Sequence, residues 1–204
     1  MISRNKYWMR TKEFIIERVV NAFDEQEKLK YADQVWDVLQ KSYAKLPGGF
    51  GTASSLEELI EKSGLWKIIV RSGHVTAVNV YRDQNGRKSI ASGTDGSIQG
   101  KLDYRMIKSA DIKFNRAWGE VSDRAEALMA KLGAKPIPAK LAPILTGKKI
   151  LSYNPDGVHY TRMIAGEPHE KIMYGVVNIT PDLEAQIKAN GIELHQLPSN
   201  ITKN

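Results

Sequence analysis

The first half of the chain has a clear alternation of apolar and polar positions. Apolar residues recur at helical spacing from Ala32 to Tyr43 and predict a helix with one buried stripe. Before it, the β-branched run from Phe14 to Val20 predicts a strand, although its period also suits a short helix. After it, Ser54 to Glu58 resembles a capping box and predicts a second helix that ends at Gly64.

Three short runs follow in a pattern typical of an antiparallel meander. They cover residues 65–71, 75–82 and 88–92, and glycine-containing turns separate them. A glycine-rich loop from Gly93 to Gly100 then leads into an amphipathic helix whose apolar positions are Leu102, Met106, Ile107 and Ala110. A short strand at 117–121 and a helix that begins at Ser122 and ends at Gly133 come next.

The C-terminal third is less regular. Residues 134–157 contain four prolines, among them Pro136, Pro138 and Pro143, and the stretch from Lys131 to Lys149 has five lysines and no acid, so we expect a basic insertion. A hairpin is predicted from 158–164 and 169–177, across Ala165 to Pro168, with Arg162 opposite Lys171 if it closes tightly. A helix that starts at Thr180-Pro181 and ends at Asn190-Gly191 follows.

These elements predict a mixed α/β fold. We expect a mostly antiparallel central sheet flanked by helices, with a C-terminal hairpin and helix. One domain over 13–193 is predicted, because 204 residues suffice for one substantial core. Residues 1–12 form an N-terminal extension, and 194–204 form a polar tail in this prediction.

Composition limits the chemistry of the protein. With no cysteine, a thiol nucleophile, a disulfide framework and thiolate metal sites are excluded. Four histidines without metal-ligand spacing on a helix make a metal site unexpected. The sequence has neither a long apolar run nor a secretory signal, so we expect a cytoplasmic protein that does not enter a membrane. A net charge of +7 favours anionic partners, including nucleic acid, an acidic protein or a phosphorylated cofactor.

The order of elements over residues 13–177 resembles that of the GCN5-related N-acetyltransferase (GNAT) superfamily. Three stretches carry the resemblance: Phe14 to Arg18 followed by Val35 to Tyr43, the loop from Gly93 to Lys101, and Glu120 to Gly133. The chain also resembles uncharacterised acetyltransferase-like proteins of tailed phages. The resemblance implies acetyl-CoA or another acyl-CoA as cofactor, without a metal, and an amine acceptor that is a protein, a small molecule or a nucleic acid.

The glycine-rich loop is the predicted cofactor site. A helix N-terminus offers free amides, and glycines allow phosphate oxygens to approach them closely. The resemblance places the pyrophosphate of acetyl-CoA at this loop and the thioester beside the strand and helix from Glu120 to Gly133, where Ser122 is a further candidate cofactor-binding residue. The loop is not a Walker A motif, because its spacing is one residue short and Leu102 replaces Ser or Thr. The candidate loop residues are Gly93, Thr94, Gly96, Ser97, Gly100 and Lys101. The alternative is a tight turn without a ligand.

Acyl transfer to an amine requires a base for the ammonium proton and an acid for the departing thiolate. Glu120 is the first candidate base, with a pKa raised by partial burial, and His159 is a second. In the family a Tyr often protonates the thiolate, but Met129 stands at that position here. Tyr160 and Tyr174 are the candidate replacements; Tyr153 and His169 are further options.

Two functions stay open at this point. One is an acyl-CoA-dependent N-acyltransferase that uses the loop. The other is a catalytically inactive binding protein on the same scaffold, whose basic surface holds nucleic acid or an acidic partner. Met129 and the departures of the loop from the family pattern favour the second function, whereas the intact order of elements favours the first.

Overall fold

The computed structural model describes residues 17–46, 49–115, 117–121 and 123–203. Its contacts divide the chain into two compact units. The first contains the described residues up to Gln84 together with Ala91–Ile107, and the second contains Asn85–Ile90 and the described residues from Lys108 onward. The single domain predicted for 13–193 stays a prediction.

The first unit is built on a four-stranded sheet of order β1-β2-β3-β4. The strands are β1 (Glu17–Ala22), β2 (Leu65–Arg71), β3 (His74–Tyr81) and β4 (Ser89–Thr94), and the helices are α1 (Glu25–Leu29), α2 (Ala32–Tyr43), α3 (Leu56–Lys62) and α4 (Ile98–Ala110). β1 and β3 both pair antiparallel with β2. The predicted meander is confirmed. The last four residues of the predicted first strand, 17–20, lie in β1, and its residues 14–16 lie outside the described part.

Helices cover this sheet on both faces. Almost every side chain of β2 and β3 is buried, which requires a layer on each side because successive side chains point to opposite faces. α2 packs against β3, and its residues Val35, Val38 and Leu39 are buried. Ile107 of α4 packs with Ile69 and Ala77.

The buried face of α4 differs from the apolar stripe that the sequence predicted. Leu102 and Met106 are 50% and 44% exposed, whereas Asp103 between them is 2% exposed. Asp103 accepts two bonds from Arg71, at 2.7 and 2.6 Å, and one from Thr76 at 2.6 Å. This ion pair fixes which side of α4 faces the sheet, and Leu102 and Met106 are therefore turned toward solvent.

The second unit is built around β9 (Glu167–Gly175). β9 pairs antiparallel with β5 (Trp118–Val121), β6 (Pro136–Ile137) and β8 (His159–Ile164), and β8 pairs with β7 (Ser152–Tyr153). β10 (Val177–Ile179) pairs in parallel with β11 (Ile201–Lys203). The helices are α5 (Asp123–Lys131), α6 (Ala142–Thr146) and α7 (Pro181–Ala189), and α5 packs against β9.

Two segments of the second unit differ from their predictions. The expected basic insertion, 134–157, supplies part of the core, because Ile137, Leu141 and Ala142 are fully buried. The expected polar tail, 194–204, contains β11 and the buried Ile201, and Asn200 donates to the Gly175 carbonyl at 2.8 Å. Both segments mix apolar and basic residues. Because each segment is polar on average, the sequence pattern did not identify the apolar residues that are buried in the core.

The hairpin closes with a shorter turn than expected. Ala165 and Gly166, at φ of 49° and 86°, form a two-residue turn, and Ile164 pairs with Glu167. Arg162 therefore lies opposite His169, and Lys171 lies opposite Tyr160. The predicted facing of Arg162 and Lys171 is wrong by a shift of two residues.

These units confirm the predicted fold class, a mixed α/β fold with mostly antiparallel strands, flanking helices and a C-terminal hairpin and helix. Within the described residues, no helix combines the length and the apolar character needed to cross a membrane.

Candidate functional site

The predicted cofactor loop lines an open depression of about 310 Å³ in the first unit. Its lining comes from α2, β4, the loop and α4, namely Lys41, Ser42, Ser92, Gly93, Thr94, Asp95, Gly96 and Tyr104. Ser42 holds the loop to α2, because its hydroxyl accepts from the Thr94 amide and donates to the Thr94 carbonyl, both at 2.9 Å. A Cβ at Gly93 would lie 2.6 Å from the Ser42 hydroxyl, so glycine is required there.

Several backbone amides of this loop are already bonded. The Ser97 amide and hydroxyl both donate to the carboxylate of Asp95, at 2.9 and 2.7 Å. The Gly100 amide donates to the Ser97 hydroxyl at 2.8 Å, and the Gly96 amide donates to the Thr94 hydroxyl at 3.1 Å. A phosphate at these amides would have to displace the Asp95 carboxylate, which is the one negative group of the loop.

Gly96 and Gly100 are required for different reasons. Gly96 has a φ of 88° and open space around it, so it is there for its backbone conformation. A Cβ at Gly100 would lie 2.1 Å from the Asp95 carboxylate and 2.7 Å from the Thr76 carbonyl. A larger residue at Gly100 would therefore disturb the packing of α4, and such a variant cannot separate ligand binding from folding.

Glu120 of β5 belongs to a buried ion pair. The Arg162 guanidinium donates to both of its oxygens at 2.7 Å, and the Tyr160 hydroxyl donates to one of them at 2.7 Å. Burial raises the pKa of Glu120, but the bonds from Arg162 and Tyr160 outweigh burial and the pKa lies below its usual value. The expectation of a raised pKa at Glu120 is therefore wrong. Tyr160 is fully buried, and burial together with Glu120 raises its pKa.

His159 and Tyr174 meet through a residue that the sequence analysis did not select. Glu126 of α5 accepts from the Tyr174 hydroxyl at 3.4 Å, and its other oxygen lies 3.3 Å from Nε2 of His159. Nδ1 of His159 lies 2.6 Å from Asp156, which also accepts from the His159 amide. The bond to Asp156 does most to raise the pKa of His159. Burial and Glu126 raise the pKa of Tyr174.

The remaining candidates lie in varied surroundings. Met129 is buried and packs in one apolar cluster with Tyr174 and Ile172. Tyr153 is 52% exposed, and the Nε2 atom of His169 is buried without a hydrogen-bond partner in the described structure. Lys101 is exposed beside the loop. Ser122, the last predicted cofactor residue, lies outside the described residues.

The structure thus forms three local groups. The loop residues gather in the first unit, whereas Glu120 with Tyr160 and His159 with Tyr174 form two groups in the second. Reasoning from the sequence missed Arg162 as the partner of Glu120, because strand pairing over forty residues leaves no local signal. It could have found Asp156, since a Pro-Asp-Gly turn three residues before a histidine is visible in the sequence.

No protein-family model matches the chain, and no curated protein matches it. Among the residues that the structure describes, no three His, Asp or Glu side chains are placed to hold a metal ion.

Proposed function

We propose that this protein is an acyl-CoA-dependent N-acyltransferase of the GNAT type, which uses acetyl-CoA or a related thioester and an amine acceptor. The observation that carries the proposal is the order and pairing of its elements. Antiparallel strands, a glycine loop and a helix are followed by a fifth strand. The start of that strand, at Trp118, bridges in parallel to Lys88, beside the first residue of β4. This is the order that the resemblance implies.

The loop is the proposed contact for the pyrophosphate, and Asp95 is the residue that opposes it. A carboxylate beside a phosphate costs between about 1 and 4 kcal/mol at 4 Å, depending on the local dielectric. Asn in place of Asp95 keeps an oxygen for the Ser97 amide and hydroxyl but removes the charge. We therefore expect Asp95→Asn to bind acyl-CoA more tightly than the natural protein does.

Calorimetric titration with acetyl-CoA and with coenzyme A tests this proposal. We expect micromolar binding and a roughly tenfold gain in affinity for Asp95→Asn, which corresponds to about 1.4 kcal/mol. Asp182→Asn is the matched control, because Asp182 is an exposed carboxylate in the first turn of α7 and should leave the affinity unchanged. Absence of heat with both ligands, for the natural protein and for Asp95→Asn, would contradict the proposal.

One observation favours the second function, a catalytically inactive binding protein for nucleic acid or an acidic partner. Lys131, Lys135, Lys140, Lys148 and Lys149 are all exposed. They lie on a segment whose apolar residues are part of the core of the second unit, so an ordered scaffold holds them. If titration with acyl-CoA gives no heat, DNA binding measured at several salt concentrations becomes the test. Its affinity should then fall steeply with salt, because each neutralised phosphate releases counterions.

A further inference from the structure

The first unit has exposed apolar side chains that the proposed function does not use. On α4, Leu102 and Met106 lie one turn apart and are 50% and 44% exposed. On β1, which stands at one end of the sheet order, Val19 is 54% exposed. Single exposed apolar residues are common on protein surfaces, whereas a contiguous group of them indicates a binding site.

Val19 lies on the face of the sheet that α4 covers. It pairs directly with Ile69 of β2, and side chains directly opposite each other in an antiparallel pair point to the same face. Ile69 in turn packs with Ile107 of α4. On the other face of β1, Ala22 is fully buried and α1 packs against the strand. Val19 therefore points into the layer that contains α4.

Leu102 and Met106 lie on the flank of α4 that is nearer to β1. The opposite flank faces β4, because the Tyr104 hydroxyl lies 3.1 Å from the hydroxyl of Ser92. Asp103 bonds instead to β2, through the ion pair with its arginine. Met106 is one turn after Asp103 and Leu102 is one turn before Met106, so both follow the side of the helix that is turned away from β4.

The three apolar side chains border a space that has the width of a second helix. A helix with its side chains is about 10–12 Å wide and neighbouring strands are about 4.8 Å apart, so α4 covers about two strands. Its Ile107 packs over β2 and β3, and β1 beside them keeps Val19 half exposed. A helix alongside α4, at the usual distance of about 8–10 Å between axes, would contact Leu102 and Met106 with its side and Val19 with its underside.

We propose that Val19, Leu102 and Met106 form a docking surface, the α4–β1 surface, for an amphipathic helix of a partner protein that carries acidic residues beside its apolar stripe. Helices are commonly recognised in this way, with apolar residues packed at the centre of the contact and charged residues at its rim. The proposal is independent of acyl transfer, because none of the three residues lines the depression at the glycine-rich loop.

The charges beside the α4–β1 surface select an acidic partner. α4 exposes Lys101 and Arg105, and its one acid, Asp103, is buried in an ion pair. Such a rim attracts an acidic helix and repels a basic one. A second copy of this chain is a poorer match, because its net charge is +7. Residues 1–16 contain four basic residues and one acid, so their charge also has the unfavourable sign.

The ion pair under α4 keeps the apolar residues exposed. Asp103 accepts two bonds from Arg71 and one from Thr76, which fixes the side of the helix that faces the sheet. A buried ion pair adds little net stability compared with apolar packing. α4 thus buries a charge and leaves Leu102 and Met106 in water, an arrangement that costs stability and is expected where the exposed face serves binding.

The experiment titrates the full chain against a synthetic, fluorescently labelled helical peptide of about 18 residues, with Leu along one stripe and Glu on both sides of it. Because the apolar contact is small, we expect a dissociation constant of about 10–100 µM by fluorescence anisotropy. Met106→Glu should weaken binding about tenfold or more, since it places a carboxylate in the apolar contact.

Two controls match these measurements. Met163→Glu makes the same change in net charge at a methionine that is 46% exposed on β8 of the second unit, and it should leave the affinity within about twofold. A peptide with Lys in place of every Glu should bind about tenfold more weakly or worse. Methionine-methyl NMR gives a local readout, in which the acidic peptide should move the signal of Met106 and leave that of Met163 in place. The same spectra show whether each variant is folded.

Each alternative outcome overturns the proposal in its own way. If the Met106 signal does not move, or if the two glutamate variants bind equally, the α4–β1 surface does not bind the peptide. Equal binding of the lysine peptide refutes the acidic partner. Self-association that Met106→Glu abolishes, without peptide binding, assigns the surface to a second copy. Binding of vesicles of anionic lipid in place of the peptide assigns it to a membrane, and binding only after removal of residues 1–16 assigns it to those residues.

Discussion

At the scale of single residues, the most demanding contact is the ion pair between Glu120 and Arg162. Their side chains are 17% and 10% exposed, and Arg162 meets both carboxylate oxygens. A carboxylate in this setting is stabilised only by its partners, since burial alone would favour its protonated form. Glu120 is thus suited to hold β5 to β8, and Arg162 donates to both of its oxygens.

Replacing Arg162 should cost stability in a way that depends on pH. We expect Arg162→Met to lower the free energy of unfolding by about 3–5 kcal/mol near neutral pH, because Glu120 loses its main partner. The folded pKa of Glu120 lies below its unfolded value of about 4.3, so this contribution is present above that pH and is lost as the pH falls through the folded pKa.

Urea unfolding at several pH values checks this prediction. Arg105→Met is the control, because Arg105 is exposed on α4 and its replacement should change stability by less than about 0.5 kcal/mol. A loss below 1 kcal/mol for Arg162→Met, or a loss of equal size at acid pH, would show that the pair contributes little.

The sequence identified the residue types of the candidate sites better than their surroundings. His159, Tyr174 and Glu120 were selected because acyl transfer needs acids and bases, and all three take part in hydrogen-bonded groups. The direction of the Glu120 pKa could not be predicted, because it depends on Arg162, and Arg162 reaches β5 only through the pairing of β8 with β9 and of β9 with β5. A pKa that depends on a partner distant in sequence cannot be predicted from the residues near Glu120 in the chain.

At the scale of elements, the hairpin turns set the register of both sheets. Ser72-Gly73 between β2 and β3 and Ala165-Gly166 between β8 and β9 all have positive φ, as in a type I′ turn. For the first hairpin the sequence predicted a glycine-containing turn between residues 71 and 75, and the turn lies there. The second was predicted two residues too long, because Pro168 suggested a loop, whereas Pro168 lies within β9 and pairs with Met163.

Asn at position 165 should stabilise the protein. Ala165 has a φ of 49°, a conformation that Asn adopts at lower cost than Ala does. We expect Ala165→Asn to raise the free energy of unfolding by about 0.5 kcal/mol in a urea titration. Ala185→Asn is the matched control, because Ala185 is exposed within α7 and Asn there should destabilise by about the same amount. Loss of stability at 165 would contradict the type I′ assignment.

α4 shows why amphipathic patterns predict a helix more securely than they predict its buried face. The chain from Ile98 to Ala110 is helical as the pattern indicated. Its orientation follows from the Arg71–Asp103 pair, which places a charged residue inside and two apolar residues outside. A hydrophobicity pattern predicts that charged residues face solvent. Asp103 is buried and hydrogen-bonded instead, so the pattern predicts the wrong buried face for α4.

At the scale of the whole chain, charge is unevenly distributed along the sequence. Five of its thirty basic residues fall between Lys131 and Lys149, where no acid occurs. The same stretch supplies buried Ile137, Leu141 and Ala142, so the basic surface and part of the core are made by one segment. A change that unfolds this segment would remove both, and loss of binding after such a change could not be assigned to charge alone.

The C-terminal residues are the other segment whose role appears only in the folded chain. Ile201 is buried with Val177, Ile179 and Ile187, and β11 pairs with β10. We expect truncation after Glu193 to destabilise the protein at least as much as Ile201→Ala, for which the cost is about 2–5 kcal/mol. The measurement is the urea midpoint. Lys203→Ala is the control, because Lys203 is exposed on the same strand and its contact is with Glu184 at the surface. If the truncated chain unfolds at the midpoint of the full chain, residues 194–203 are not part of the stable core, and the polar tail predicted from the sequence was the better description.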